Sequence, residues 1–233
     1  MMRIAMWSGP RNLSTAMMYS FGARPDCSVI DEPFYAAYLH RTGYDHPMRD
    51  EILTHQDTDP VNVAALCVEE PADKRHLYMK HMAHHMLPGF PLEWGESCEN
   101  VHLIRHPARV IASYSAKRDA PTLEDIGFAQ QLAIYRRLGG VIVDSTDIRA
   151  DPERILRLLC ARIGLSFNPA MLSWPAGPRA EDGVWAAHWY GAVHKSTGFA
   201  GAEGPLPELT VKQSALLDAV MPFYTAMHEQ RLT

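Results

Sequence analysis

Lysine is scarce in this sequence, five residues against seventeen arginines among 233. The net charge is -5 and the isoelectric point is near 6.2. There is no broad basic field for a nucleic acid, so a basic residue that binds an anion must act locally, in a pocket. An arginine-rich chain suits bidentate anion contacts, although a GC-rich genome produces the same bias. Cysteine is sparse too: Cys27, Cys67, Cys98 and Cys160 lie far apart, without the paired spacings of zinc or redox motifs. They read as buried thiols in a reducing compartment, and a cytoplasmic location is expected. No apolar run is long enough to span a membrane, and Arg3 and Arg11 interrupt any signal-peptide pattern at the start. Internal repeats are absent. What is present, 47% apolar and 21% charged residues, predicts one globular domain over residues 1–233 with a single full core.

The chain is organised around the stretch from Arg3 to Ala16, which passes from a short apolar strand through the polar loop Gly9-Pro10-Arg11-Asn12-Leu13 into a helix starting at Ser14 and Thr15. A loop entering a helix turns unpaired backbone N–H groups toward one point, and the helix dipole favours an anion there. Arg11 supplies a planar fork for phosphate oxygens. The hydroxyls of Ser14 and Thr15 either cap the helix or donate to the same anion. Leu13-Ser14-Thr15 stands where a Walker A loop carries Gly-Lys-Ser/Thr, which argues against ATP or GTP hydrolysis.

Further on, Cys27–Asp31 reads as a strand, and Asp31-Glu32-Pro33 places two carboxylates at its C-terminal end, the edge where open α/β sheets bind ligands. Pro33 keeps Glu32 out of helical geometry. Glu32 is either a general base or the acidic start of an amphipathic segment, Phe34–Leu39. Residues 40–58 are polar and read as an exposed insertion or lid. Asp59-Pro60 opens a helix through about Glu69. His76–His81 reads as a strand; His76, His81, His84 and His85 fall within ten residues. His81 and His85 have i, i+4 spacing, but no third ligand accompanies them, so no metal is expected. Lys80 is placed to meet a negative oxygen, and His81, His84 and His85 are alternatives to Glu32 as a base, or surface histidines.

A second strand, turn and helix runs from Val101 to Tyr114, with Arg105 at the strand tip, Pro107 at the first helical position and Ser113 two turns in. Thr122 caps a long helix to Leu138, Gly139-Gly140 stops it, and Val141–Asp144 is a strand. Asp151-Pro152 opens another helix to Ile163. Residues 173–206 are rich in Pro, Gly and aromatics, which either sandwich a ligand or pin the loop to the core. The last segment, from about Thr210, reads as a helix interrupted at Pro222.

Two of these stretches resemble sulfotransferases. Pro10-Arg11-Asn12-Leu13-Ser14-Thr15 is similar to the family's 5′-phosphosulfate loop, Pro-Arg-Ser-Gly-Thr-Thr, with Asn12-Leu13 in place of Ser-Gly. Arg105-His106-Pro107-Ala108-Arg109 followed by Ser113 is similar to its 3′-phosphate segment, Arg-Asp-Pro-Arg-Asp with a serine eight residues after the first Arg. His106 and Ala108 replace the acids. The order of the two segments matches, and the resemblance extends from Arg3 to about Leu172.

It implies a three-layer P-loop-type α/β fold with a largely parallel sheet of about five strands. The donor it implies is 3′-phosphoadenosine 5′-phosphosulfate (PAPS), with adenosine 3′,5′-bisphosphate as product and no metal. Gly9, Pro10, Arg11, Asn12, Leu13, Ser14, Thr15, Arg105 and Ser113 would bind the donor. Glu32, Arg11, Lys80 and His85 would serve the transfer, and Arg179 and Lys195 would belong to a loop closing the donor site. The acceptor would be a hydroxyl or amine of a small molecule or carbohydrate, not a nucleic acid, and the oligomeric state stays open, a homodimer included. The rival readings are a P-loop nucleotide kinase or phosphotransferase and a nucleotide-binding module without turnover.

Overall fold

Five apolar runs form one parallel sheet in the computed structural model, which describes residues 1–71, 74–116 and 121–233. The first half of the chain contains β1 (Met2–Ser8), α1 (Ser14–Gly22), β2 (Cys27–Asp31), α2 (Tyr35–Thr42), α3 (Arg49–His55), α4 (Pro60–Leu66), β3 (His76–Met82), β4 (Glu99–Ile104) and α5 (Pro107–Ser115). The second half contains α6 (Leu123–Ile126), α7 (Phe128–Leu138), β5 (Val141–Asp144), α8 (Ser145–Ala150), α9 (Pro152–Arg162), α10 (Ala186–Trp189) and α11 (Val211–His228). The strand order is β2-β3-β1-β4-β5, and every neighbouring pair is parallel.

Side-chain alternation along β1 divides the core. Ile4 and Met6 point to one face, where α1, α8 and α9 cover them with Met17, Phe21, Ile148 and Leu159. Ala5 and Trp7 point to the other and meet Val63 of α4 and Ile134 of α7. Near β4 and β5, Ile104 and Ile142 pack under α5, α7 and α11. Sheets covered on both faces favour apolar strands, and β1 fits that pattern, while β3 and β4 also bury Lys80, His81, Asn100 and His102. The C-terminal ends of all five strands open on one edge, the ligand edge of this architecture.

Four expectations are corrected. The helix opened by Thr122 is two helices, α6 and α7, because Gly127 adopts a left-handed φ of 68° between them. A Cβ there would stand 3.3 Å from that of His84, so the break lets the two segments approach. Pro222 does not interrupt α11. It removes one backbone bond, while Val220, Tyr224 and Met227 stay buried against the neighbouring helices and a Thr210–Gln213 capping box secures the start. The helix from Pro60 ends at Leu66 rather than Glu69. Phe34–Leu39 is buried at every position instead of amphipathic. No helix among the described residues is long and apolar enough to cross a membrane.

Candidate active site

The loop after β1 is held by its neighbours. Gly9 has no room for a side chain: a Cβ would lie 2.6 Å from the Ile126 carbonyl oxygen. Asn12 donates from Nδ2 to the Leu103 carbonyl at 2.9 Å and accepts from the Leu13 N–H at 2.8 Å, tying the loop to β4. Arg11 has a left-handed φ of 55°, a strained conformation that the surrounding structure must impose. No side chain caps α1. Neither Ser14 nor Thr15 therefore satisfies the helix terminus, and its first N–H groups lie beside a cavity of about 630 Å³ lined by residues 10–16.

Two segments about a hundred residues apart meet at the cavity mouth. Arg11 Nε donates to Ser113 Oγ at 3.0 Å, and Arg105 Nη1 donates to the Arg11 carbonyl at 2.8 Å. Arg11, Arg105 and Ser113 all line the cavity. Burial, with Arg105 nearby, holds the Arg11 pKa below its usual value. Both cations face the same space as the uncapped helix, an arrangement that attracts an anion with two separated charges.

Opposite lies a buried cluster of charges. Asp31 and Lys80 are register partners of β2 and β3, so their side chains share a face. The Lys80 ammonium is fully buried and donates to Asp31 Oδ1 at 2.9 Å, to Tyr190 Oη at 2.7 Å and to Glu32 Oε1. Tyr190 donates in turn to Asp31 Oδ2 at 2.7 Å and accepts from Trp185 Nε1 at 3.1 Å. Burial alone would lower the Lys80 pKa, but Asp31 and Glu32 outweigh it and the pKa rises. Two carboxylates share one ammonium here. Burial accordingly pushes the Glu32 carboxyl above its usual 4.5 despite Lys80. Glu32 itself stands at φ 41°, its carbonyl bound by Gln56 Nε2 at 3.2 Å.

The histidines separate into two groups. His81 points away from the cavity, its ring 4.5 Å from that of Trp7 and 4.9 Å from that of Trp94, and burial pushes its pKa down to about 3. It belongs to the core. His84 and His85 line the cavity. His85 stacks on Tyr35 and Tyr38 with ring centres 4.5 and 4.8 Å apart, and its Nδ1 lies 3.9 Å from Glu32 Oε2. Burial pushes His84 down to about 3 and His85 well below its ordinary value, so both rings are neutral. Among the described residues no group of three or more His, Cys, Asp or Glu side chains is arranged to hold a metal.

The aromatic loop is divided between the core and the cavity wall. Trp174 and Trp185 are buried in the core, while Trp189 and Tyr190 line the cavity. Lys195 also lines it, with Ser196, Thr197 and Gly198. Arg179 does not. Its guanidinium lies 4.1 Å above the Tyr19 ring and it fastens the loop to α1.

Sequence reasoning singled out neither His46, which lines the cavity, nor Gln56, which binds the Glu32 carbonyl, nor Arg149 and Glu203, which flank Arg105. The pairing of Asp31 with Lys80 was accessible from strand register. Glu203, isolated in a Gly-rich stretch, carries no local signal.

Comparison with known proteins gives this site a family. Two curated Arabidopsis thaliana proteins, branched-chain-amino-acid aminotransferase-like proteins 2 and 1, are each 36% identical over 229 residues. The match covers 96% of this chain and only 41% of theirs. In fold, the chain is similar to the sulfotransferase domain from the curacin biosynthetic pathway, with a TM-score of 0.57 at 16% identity over 94% of this chain and 96% of that one. It is likewise similar to a sulfotransferase from Alicyclobacillus acidocaldarius, with a TM-score of 0.55 at 11% identity over 100% and 97% of the two chains. Residues 2–231 match the family model described as a sulfotransferase domain, and the chain belongs to that family.

Proposed function

We propose that residues 1–233 form one PAPS-dependent sulfotransferase unit that transfers a sulfuryl group to a hydroxyl or amine of a small molecule or carbohydrate. The observation that carries this reading is the meeting of the Arg11 loop and the Arg105–Ser113 segment at one cavity, through the Arg11–Ser113 and Arg105–Arg11 hydrogen bonds. A ligand with phosphates at both ends of a nucleoside needs two such anchors. The cavity volume of about 630 Å³ suits a ligand of that class.

The donor supplies an activated sulfuryl group: the acceptor oxygen or nitrogen bonds to sulfur as the bond from sulfur to the 5′-phosphate oxygen breaks. Arg11 and the first N–H groups of α1 stabilise the charge left on the 5′-phosphate. Ser14 and Thr15 donate to the same phosphate, and Arg105 with Ser113 holds the 3′-phosphate. Glu32 takes the acceptor proton. Its raised pKa makes it a better base than an ordinary carboxylate, whereas burial has removed basicity from His84 and His85. Neutral His85 orients the acceptor by hydrogen bonding. Lys80 is engaged by its own carboxylates, so it positions Glu32 rather than reaching for the sulfuryl oxygen.

Tyr35, Trp189 and Tyr190 wall the acceptor end, which favours an acceptor with an apolar body. The kinase alternative lacks its phosphate-binding lysine, since Leu13 precedes Ser14. The aminotransferase in the Arabidopsis names finds no support in Lys80, the one buried lysine among the described residues: its raised pKa is opposite to what a Schiff-base lysine needs.

Isothermal titration of adenosine 3′,5′-bisphosphate against ADP, with Arg105→Ala beside the wild type, tests the donor. Binding of the bisphosphate that is lost in the variant, and weak binding of ADP, is expected; equal binding of the two nucleotides would refute the reading. Transfer of labelled sulfate from PAPS to an acceptor panel then separates an enzyme from a binding module.

A further inference from the structure

Arg105 is held from behind by an unusual partner. Glu203 Oε1 accepts from Arg105 Nε at 3.1 Å, from Arg105 Nη2, and from Arg149 Nη1 at 2.8 Å. Its other oxygen lies 3.0 Å from Arg109 Nε and accepts from Thr146 Oγ1 at 3.3 Å. The side chain is only 2% exposed. Two of the arginines also fasten the backbone around it: Arg149 Nε donates to the Gly201 carbonyl at 2.8 Å, and Arg109 Nη2 donates to that of Gly204. Of the three, Arg105 alone lines the cavity.

The count of donors indicates what this arrangement does. A guanidinium has five N–H groups. Those of Arg105 are committed to Glu203 through Nε and Nη2 and to the Arg11 carbonyl through Nη1, which leaves two for a ligand. Three guanidiniums around one carboxylate retain a net positive charge, so the site still attracts an anion after Glu203 is counted. The Glu203 carboxyl is correspondingly acidic: burial pushes it upward, but Arg105, Arg109 and Arg149 bring it below its usual value. At neutral pH it is a fixed charge.

Resting on the donor reading above, we infer that Glu203 is a positioning residue for donor selectivity: it fixes the Arg105 fork so that the remaining N–H groups recognise a phosphate on the 3′ position of the nucleotide. Without the carboxylate, Arg105 is drawn away by solvent and repelled by Arg109 and Arg149, and the cavity loses its discrimination at that end. The 5′-phosphate end changes less, because residues 10–16 keep their Asn12–Leu103 anchor when the Arg105 bond to the Arg11 carbonyl is disturbed.

Titration calorimetry of wild type, Glu203→Ala, Glu203→Gln, Arg105→Ala and the double variant, each with adenosine 3′,5′-bisphosphate and with 5′-AMP, tests this. Wild type is expected to prefer the bisphosphate, Glu203→Ala to weaken it about tenfold or more, and AMP affinity to change by less than about twofold. Glu203→Gln, which keeps the acceptor oxygen without the charge, is expected to fall between them. In the Arg105→Ala background, removal of Glu203 costs nothing further.

Unchanged or tighter bisphosphate binding in Glu203→Ala would overturn the inference, since the carboxylate would then be idle or a competitor for the phosphate. Equal losses for both nucleotides would also overturn it and leave Glu203 as a fastener of the loop. A wild type that fails to distinguish the bisphosphate from AMP refutes the donor reading itself. Thermal melts accompany each variant, and if Glu203→Ala does not fold, Glu203→Gln decides.

Discussion

Replacing Lys80 by methionine perturbs the one cation that two buried carboxylates share. The side chain is wholly buried and its three donor contacts go to Asp31, Glu32 and Tyr190. Methionine fills a similar volume but leaves both carboxylates without a counter-charge. Removing one partner of a buried pair costs about 3–5 kcal/mol. At about 2–4 °C per kcal/mol for a chain of this size, the Tm falls by roughly 6–20 °C.

The loss also depends on pH, and its sign follows from the proton count. Without Lys80 the folded-state carboxyl pKa values rise above those of the unfolded chain. The folded variant then binds protons more tightly, so its stability is greatest below the raised pKa and is lost as pH increases. The gap to wild type is therefore wide at pH 8 and narrows toward pH 5. Glu32→Gln behaves in the opposite way. Glutamine keeps an amide oxygen for Lys80 and removes the surplus charge that burial penalises, since the Glu32 pKa is already raised in the wild type. That variant is expected to be as stable as wild type or more so at neutral pH, and on the proposed reaction its activity falls by about 10²–10⁴ because the acceptor would lose its base. Thermal melts at several pH values between 5 and 8 provide the measurement. A Lys80→Met variant as stable as wild type at pH 8, or a Glu32→Gln variant destabilised as much as Lys80→Met, would refute the account.

In the pH profile of kcat/KM, the acid limb is expected above 4.5, because burial raises the Glu32 carboxyl, and activity falls below it as the base takes up its proton. A limb near 3 would point instead to a buried histidine such as His84. Gly9→Ala drives a Cβ to 2.6 Å from the Ile126 carbonyl, so the loop must shift; about 1–3 kcal/mol of stability and much of the bisphosphate affinity are lost together, as read by melts and calorimetry. Thr210→Ala removes the α11 capping box and lowers stability by about 1 kcal/mol with no effect on nucleotide binding, which chemical denaturation beside calorimetry would check.

Much of this fold is legible because its signals are local. Each strand is a short segment with several buried apolar residues, and Pro107, Pro60 and Pro152 stand at the first positions of their helices as their sequence contexts indicate. The errors arose where a tertiary contact overrode a local preference. The helix expected from Thr122 to Leu138 breaks at Gly127, where His84 packs, and Pro222 reads as a breaker until the packing of α11 is known. The strand ends, turns and helix starts around Arg11 and Arg105 were readable for the same local reason. The partners of Lys80 were not legible, because they come from the neighbouring strand and from Tyr190, 110 residues away. Glu203 had no local pattern at all; only the fold brings it to three arginines.

The choice between glutamate and histidine as the base shows what folding adds to a motif. On sequence alone the two types compete, and unperturbed histidine has the advantage of titrating near neutrality. Burial reverses the comparison because it disfavours the charged form of each group: it raises the pKa of a carboxyl and lowers that of an imidazole. Glu32, His84 and His85 meet the same low-dielectric environment and move in opposite directions. The carboxylate gains affinity for a proton while the imidazoles lose theirs. Lys80 limits how far Glu32 can move, since a base protonated at neutral pH would be useless, and Tyr190 and Asp31 hold that ammonium in place. The buried charge cluster therefore adjusts the basicity of Glu32, and in the proposed reaction the neutral histidines beside it would supply hydrogen bonds without competing for the acceptor's proton.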